Sequence, residues 1–125
     1  MAGFTPRNST TFTTAGAVAA NRIVKYHSVA NQVVVATAAT EKFAGITQFA
    51  ATAADQELAV INDGTAKVIA AGNIAYGDYV TATTGGAAVA TTTAAAFYVG
   101  IARQAAASGD LFEVQIQFGQ IADGT

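Results

Sequence analysis

The chain has 125 residues, enough for one domain with a modest core, and its 6 basic and 8 acidic side chains leave a net charge of −2. Charged residues are 11% of the sequence, against about 25% in an average soluble domain. The basic ones (Arg7, Arg22, Lys25, Lys42, Lys67, Arg103) are scattered, so no basic stripe forms and a nucleic-acid partner is not expected. There is no Cys, which removes disulfide frameworks and thiolate chemistry.

Twelve Val and eight Ile stand against two Leu, with seventeen Thr. Branching at Cβ stiffens χ1 and suits a pleated sheet, and the abundant Ala lacks the charged companions that fill helices. The fold class predicted is all-β: a small β-barrel or β-sandwich of about eight to nine short strands, residues 21–125, preceded by an extended N-terminal arm, residues 1–20.

The arm holds the single Pro, several Thr and few aliphatics, too little to bury a core alone. It carries two aromatics, Phe4 and Phe12, and could order against a partner, which makes Phe4, Thr5, Arg7, Phe12 and Thr13 the expected contact residues. Met1 to Arg7 shows no charged start followed by an apolar stretch, so no secretory leader is expected. Strand-like runs then follow at Arg22–His27, Gln32–Ala36 and Phe43–Phe49. Gln56–Ile61 and Thr65–Ile69 flank Asn62-Asp63-Gly64, where Asp-Gly between β-branched runs predicts a hairpin turn. Further runs are Tyr79–Thr83, Ala87–Thr91, Tyr98–Arg103 and Leu111–Phe118. In the last, Phe112, Val114, Ile116 and Phe118 alternate with Glu113, Gln115 and Gln117, one apolar and one polar face. The uncharged window from Tyr79 to Ala102 is long enough to raise a membrane span, but its Thr residues and Gly85-Gly86 read as strands and loops, so no membrane is expected.

An internal echo links the two halves. Phe43-Ala44-Gly45-Ile46, an Ala-rich link and Asp55 match Tyr98-Val99-Gly100-Ile101, an Ala-rich link and Asp110, at one offset of 55 residues. The Gly-Asp pair recurs at Gly77-Asp78 and Gly109-Asp110. There Gly permits φ > 0 and the Asp carboxylate can take nearby backbone N–H groups, which assigns Gly77, Asp78, Gly109 and Asp110 to turns alongside Asp63 and Gly64.

The search for chemistry is negative. His27 is the single histidine, and nothing beside it marks a catalytic base. One His without Cys gives no transition-metal set, and no Asp series forms a calcium loop. Gly85-Gly86 is not followed by the Lys of a phosphate loop. Carrier-barrel chemistry needs a modifiable Lys at a hairpin tip, which neither Lys42 nor Lys67 supplies. No enzyme, cofactor or metal is expected.

Taken in order, Arg22-Ile23-Val24-Lys25, Ala44-Gly45-Ile46, the link to Asp55, Leu58-Ala59-Val60, Ala71 to Val80, Val99-Gly100-Ile101-Ala102 and Ala105 to Asp110 form a recognisable series. Over residues 20–118 it resembles the small head decoration, or capsid cement, proteins of tailed phages, and is similar to the Ala-rich DUF2190-type group. The first strand is more polar than expected of that group, and the resemblance does not place the long arm. The resemblance implies a virion protein made in the host bacterial cytoplasm and placed on the capsid exterior. Its partners would be the major capsid protein and copies of itself, as a homotrimer or other small closed oligomer, and it would bridge capsid subunits through many modest contacts. Other readings are a capsid or tail-tube subunit, or a carbohydrate-binding β-module, though the latter usually displays Trp, absent here.

Overall fold

In the computed structural model, which describes residues 6–93 and 95–121 (6–10 by backbone alone), the β-branched runs form nine strands. They are β1 Pro6–Thr14, β2 Ile23–Tyr26, β3 Gln32–Val35, β4 Phe43–Thr47, β5 Glu57–Ile69, β6 Tyr79–Ala82, β7 Ala88–Ala90, β8 Phe97–Ala102 and β9 Leu111–Gln120. The expected all-β class is observed, and a single 3₁₀ turn, Thr84–Gly86, is the one helical element among the described residues.

The strands make two barrels that share β5. In the first, β1 pairs with β3 in parallel, and β3–β2, β2–β4, β4–β5 and β5–β1 are antiparallel, which closes a ring of five. Closure leaves no free sheet edge, the usual liability of a small β protein. In the second, β5–β9, β9–β8, β8–β6 and β6–β7 are antiparallel, and a parallel bridge from Ala70 to Ala88 joins the end of β5 to β7.

The predicted Asp63-Gly64 hairpin is not formed. β5 runs through it as one thirteen-residue strand. Gly64, at φ 90, accepts the bond angle of a bend, and Asp63 Oδ1 takes the Gly64 N–H at 2.9 Å. The β1 register shifts twice opposite this point. Only one of the two central residues, Gly64, has φ > 0, whereas the hairpin turn needs both. The Asp-Gly pair therefore kinks a strand from one barrel into the next instead of reversing it.

The segment expected as an arm is extended from Pro6 to Thr14, but lies in the first barrel as β1, between β5 and β3. Phe12 packs on that barrel's core with Val24, Val33, Leu58 and Val60. Thr14 is fully buried, its hydroxyl donating to the Ala53 carbonyl at 2.8 Å.

The echo at 55 residues is a duplication of this barrel. Thr14 pairs with Val33 where Ala70 bridges to Ala88, and Val18 bridges to Ala51 where Ile74 bridges to Ala106. The core repeats too: Val24, Ala44, Leu58 and Val60 in the first barrel correspond to Val80, Val99, Phe112 and Val114 in the second. The closest fit is at two glycines. A Cβ on Gly45 would meet Ile61 O at 2.3 Å and Val60 Cγ1 at 2.6 Å, and one on Gly100 would meet Gln115 O at 2.2 Å and Val114 Cγ1 at 2.6 Å. Both positions are open only to glycine because a neighbouring strand crosses against the main chain.

Candidate functional site

Strand alternation puts Val80 and Val99 into the second barrel and leaves Tyr79 and Tyr98 on its outside. Their rings stack with centroids 4.4 Å apart at 34°, an arrangement worth roughly 0.5–1.5 kcal/mol beyond area burial. Tyr98 also lies across Gly119, where a Cβ would sit 2.3 Å from the tyrosine oxygen, so glycine there makes room for the ring. Phe97 and Phe118 continue the aromatic surface, and the buried Phe43 borders it. Together with Lys42, Tyr98, Gly119 and Gln120 they line an open groove of about 340 Å³. A second hollow of about 300 Å³ is lined by Tyr79 with Gly77, Asp78, Ala90, Thr91 and Thr92. Tyr79 is 40% and Phe118 43% exposed, so this is an open surface and not a closed cavity.

Several ionisable groups are engaged by near neighbours. Burial pushes the Glu41 carboxyl up, but hydrogen bonds from Lys25 Nζ, the Thr37 and Ala38 backbone N–H groups and the Thr37 hydroxyl outweigh it and hold its pKa at about 2. That carboxylate ties the β3–β4 loop together. Arg103 pairs with Glu113 at 3.3 Å. His27 Nδ1 accepts the Val29 N–H at 3.3 Å, a turn contact. Among the described residues no group of three or more His, Cys, Asp or Glu is placed to hold a metal ion, and no helix is long and apolar enough to cross a membrane. Among its described residues the window from Tyr79 to Ala102 holds three strands and the 3₁₀ turn.

The two Gly-Asp turns are built alike. Asp78 N–H donates to Ala75 O at 3.1 Å and Asp110 N–H to Ala107 O at 3.0 Å, with Gly77 (φ 89) and Gly109 (φ 91) at the third position, the pattern of a type II turn. The Asp78 and Asp110 carboxylates accept the Ala75 and Ala107 N–H groups at 2.9 and 3.1 Å. In the first barrel the register slips by one residue from the echo read in the sequence. Asp55, at φ 64, stands where Gly109 does, and Gln56 stands where Asp110 does, its Oε1 taking the Thr52 N–H at 2.7 Å.

Of the residues expected to contact a partner, Phe4 and Thr5 lie outside the described residues. Arg7 is on β1 at the register shift opposite the β5 bend. Phe12 is half-buried, edge-on to Tyr26 at 6.0 Å, and Thr13 gives its backbone N–H to Asn31 O at 2.9 Å. Phe12 and Thr13 are thus engaged by their own barrel. The Tyr79–Tyr98 surface was absent from the expected contacts, although Tyr98 holds the echo position of Phe43, a pairing visible in the sequence.

No protein-family model matches the chain, and no curated protein matches it. Among solved structures it is similar to the N base of the head fiber gp8.5 of bacteriophage phi29, with a TM-score of 0.71 and 23% identity, over 88% of this chain and 93% of that one. At that identity the similarity is one of fold.

Proposed function

We propose that this chain is a structural protein of a tailed-phage particle that binds the outer surface of the capsid, with the major capsid protein as partner, and cements the shell. The observation that carries the reading is the extent of the fold match: 88% of the chain superposes on the N base of a phage head fiber. The short motifs between residues 20 and 118 that resemble the Ala-rich cement group point the same way. So does the described surface, which offers exposed aromatic side chains such as Tyr76, Tyr79 and Phe118 for contact.

The architecture suits a mechanical role. Two barrels that share one strand have no linker between them, so a capsid subunit held by one barrel and a neighbour held by the other are joined through a continuous hydrogen-bonded sheet. Each Ala, Gly or Thr contact contributes little, but symmetry repeats it around the shell, and simultaneous engagement multiplies weak affinities. Co-sedimentation of the purified protein with empty mature heads tests the proposal. The protein should pellet with the heads, saturate at a fixed copy number and raise the temperature at which they open. Protein left in the supernatant at every head concentration refutes it.

A further inference from the structure

The duplication allows each outer face to be compared with its own copy. On the first barrel Ile23, Phe43 and Ile46 are only 0%, 7% and 0% exposed, and they share a cluster with the core of the second barrel, which lies on them. Their copies on the second barrel are Tyr79, Tyr98 and Ile101. β4 is buried at all five positions, Phe43–Thr47. Along the matching stretch of β8, Val99, Gly100 and Ala102 are buried while Tyr98 and Ile101 are half-exposed. The two strands differ at the two outward apolar positions and agree at the rest. The second barrel thus keeps an apolar outer face of the kind that docks a barrel, and none of the described residues covers it as the second barrel covers the first.

The other half of the joint repeats as well. What the second barrel presses onto the first is its β6–β7 turn: a Cβ on Gly86 would lie 2.6 Å from Val35 Cγ2 and 2.7 Å from Ile23 O. The copy of that turn in the first barrel joins β2 to β3, with Asn31 (φ 63) in the place of Gly86 (φ 76). It is uncovered, with Tyr26 55% and Val29 51% exposed. A single chain therefore carries one joint already made and the two unlike halves of a second.

We infer that the chain self-associates head to tail, the β2–β3 turn of one copy seating on the Tyr79–Tyr98 face of the next. The occupant is a second copy because this chain supplies both halves of the contact and already mates their duplicates internally. Such a contact is heterologous, so it closes into a ring or grows into an open chain, and a two-fold pair is not its product. Without the covalent continuity of β5 it depends on concentration. The inference concerns the protein alone and stands whether or not it binds a shell.

Sedimentation velocity on the full chain over a dilution series, with Tyr79→Glu and Val29→Glu, tests it. The unsubstituted protein should show species larger than a monomer that dissociate on dilution, and each variant alone should be monomeric. An equal mixture of the two variants should form dimers and nothing larger, since the intact turn of one meets the intact tyrosine face of the other and every other joint is blocked. That recovery also establishes that both variants are folded. Phe49→Ser, at a 68% exposed position outside both faces, should assemble as the unsubstituted chain does. A monomer at every concentration, variants that assemble normally, a mixture that stays monomeric, or a Phe49→Ser chain that is equally disrupted would each overturn the head-to-tail joint.

Discussion

Replacing Gly45 or Gly100 by Ala probes the duplication at the same point in both barrels. The added Cβ would lie 2.3 Å from Ile61 O in one case and 2.2 Å from Gln115 O in the other. In each the obstacle is main chain, so no rotamer change relieves it, and the strands have to part by about 1 Å through a sheet whose interior is close-packed. Overpacking of this kind costs typically 1–3 kcal/mol, more where backbone must move. Gly45 also has φ +151, a conformation that adds about 1 kcal/mol for a residue with a side chain. We expect about 3 kcal/mol for Gly100→Ala and about 4 kcal/mol for Gly45→Ala. At roughly 2.1 cal/mol/K of unfolding entropy per residue, a chain of this length unfolds with about 0.26 kcal/mol/K, so 3 kcal/mol lowers Tm by about 11 °C. The assay is thermal unfolding followed by circular dichroism. Gly16→Ala and Gly72→Ala, with nothing within 4 Å of the new atom and no left-handed φ, should stay within about 2 °C of the parent. If Gly45→Ala and Gly100→Ala melt beside those controls, the strand crossing described for both barrels is wrong.

Two further predictions concern the loops. Glu41 titrates at about 2 when folded, against 4.5 for an unperturbed carboxyl. Its contribution is therefore complete above pH 4.5 and is lost as the pH falls toward 2. The gap of 4.5 − 2 sets a ceiling of about 3 kcal/mol, which screening by the water still reaching the carboxylate reduces to about 1–2 kcal/mol. Urea unfolding of the parent and of Glu41→Gln at neutral pH and near pH 3 should show the parent losing that stability and the variant changing less; equal losses in both refute the assignment. Asp78→Ala and Asp110→Ala each free one exposed backbone N–H, and each should cost about 0.5–1.5 kcal/mol. Their double variant should depart from the sum of the two, because the Ile74–Ala106 bridge joins the residues just before the two turns, and a chemical-denaturation series reads this directly.

Strand content was legible in the sequence because it rests on local chemistry. β-branched runs, turn residues and the alternation through Phe112, Val114 and Ile116 all act within a few residues, and those three side chains are buried as the pattern requires. The duplication was legible from Phe43-Ala44-Gly45-Ile46 and Tyr98-Val99-Gly100-Ile101, since both glycines answer to the same crossing strand. The continuity of β5 was not, because Asp63-Gly64 supplies a positive φ for a hairpin and for a bend alike. The choice between them depends on β1 and β9, which pair with the two halves of β5 from far away in the chain. The placement of Phe12 escaped for the same reason: an isolated aromatic in a Thr-rich stretch reads as a free anchor until β5 and β3 are seen on either side of it.

The passage of β5 through the bend also explains why a charge-poor surface came out uneven. The last strand of the first barrel continues as the opening strand of the second, and the second barrel lands on Ile23, Phe43 and Ile46. That docking consumes one outer face of each barrel and leaves their copies uncovered among the described residues. Asn21 and Gln48 fix the joint from the side, their amide groups donating to Lys67 O at 3.2 and 2.9 Å. At the copies of those two positions the second barrel carries Gly77 and Arg103, and Arg103 is turned to Glu113 and Gln115 instead. The outer face around Tyr79 and Tyr98 is thus apolar where the joint is apolar, and lacks the amides that would hold a partner in place. A contact there has to rely on the rings themselves, which makes the exposed tyrosine a more sensitive point of attack than any charged residue on the protein.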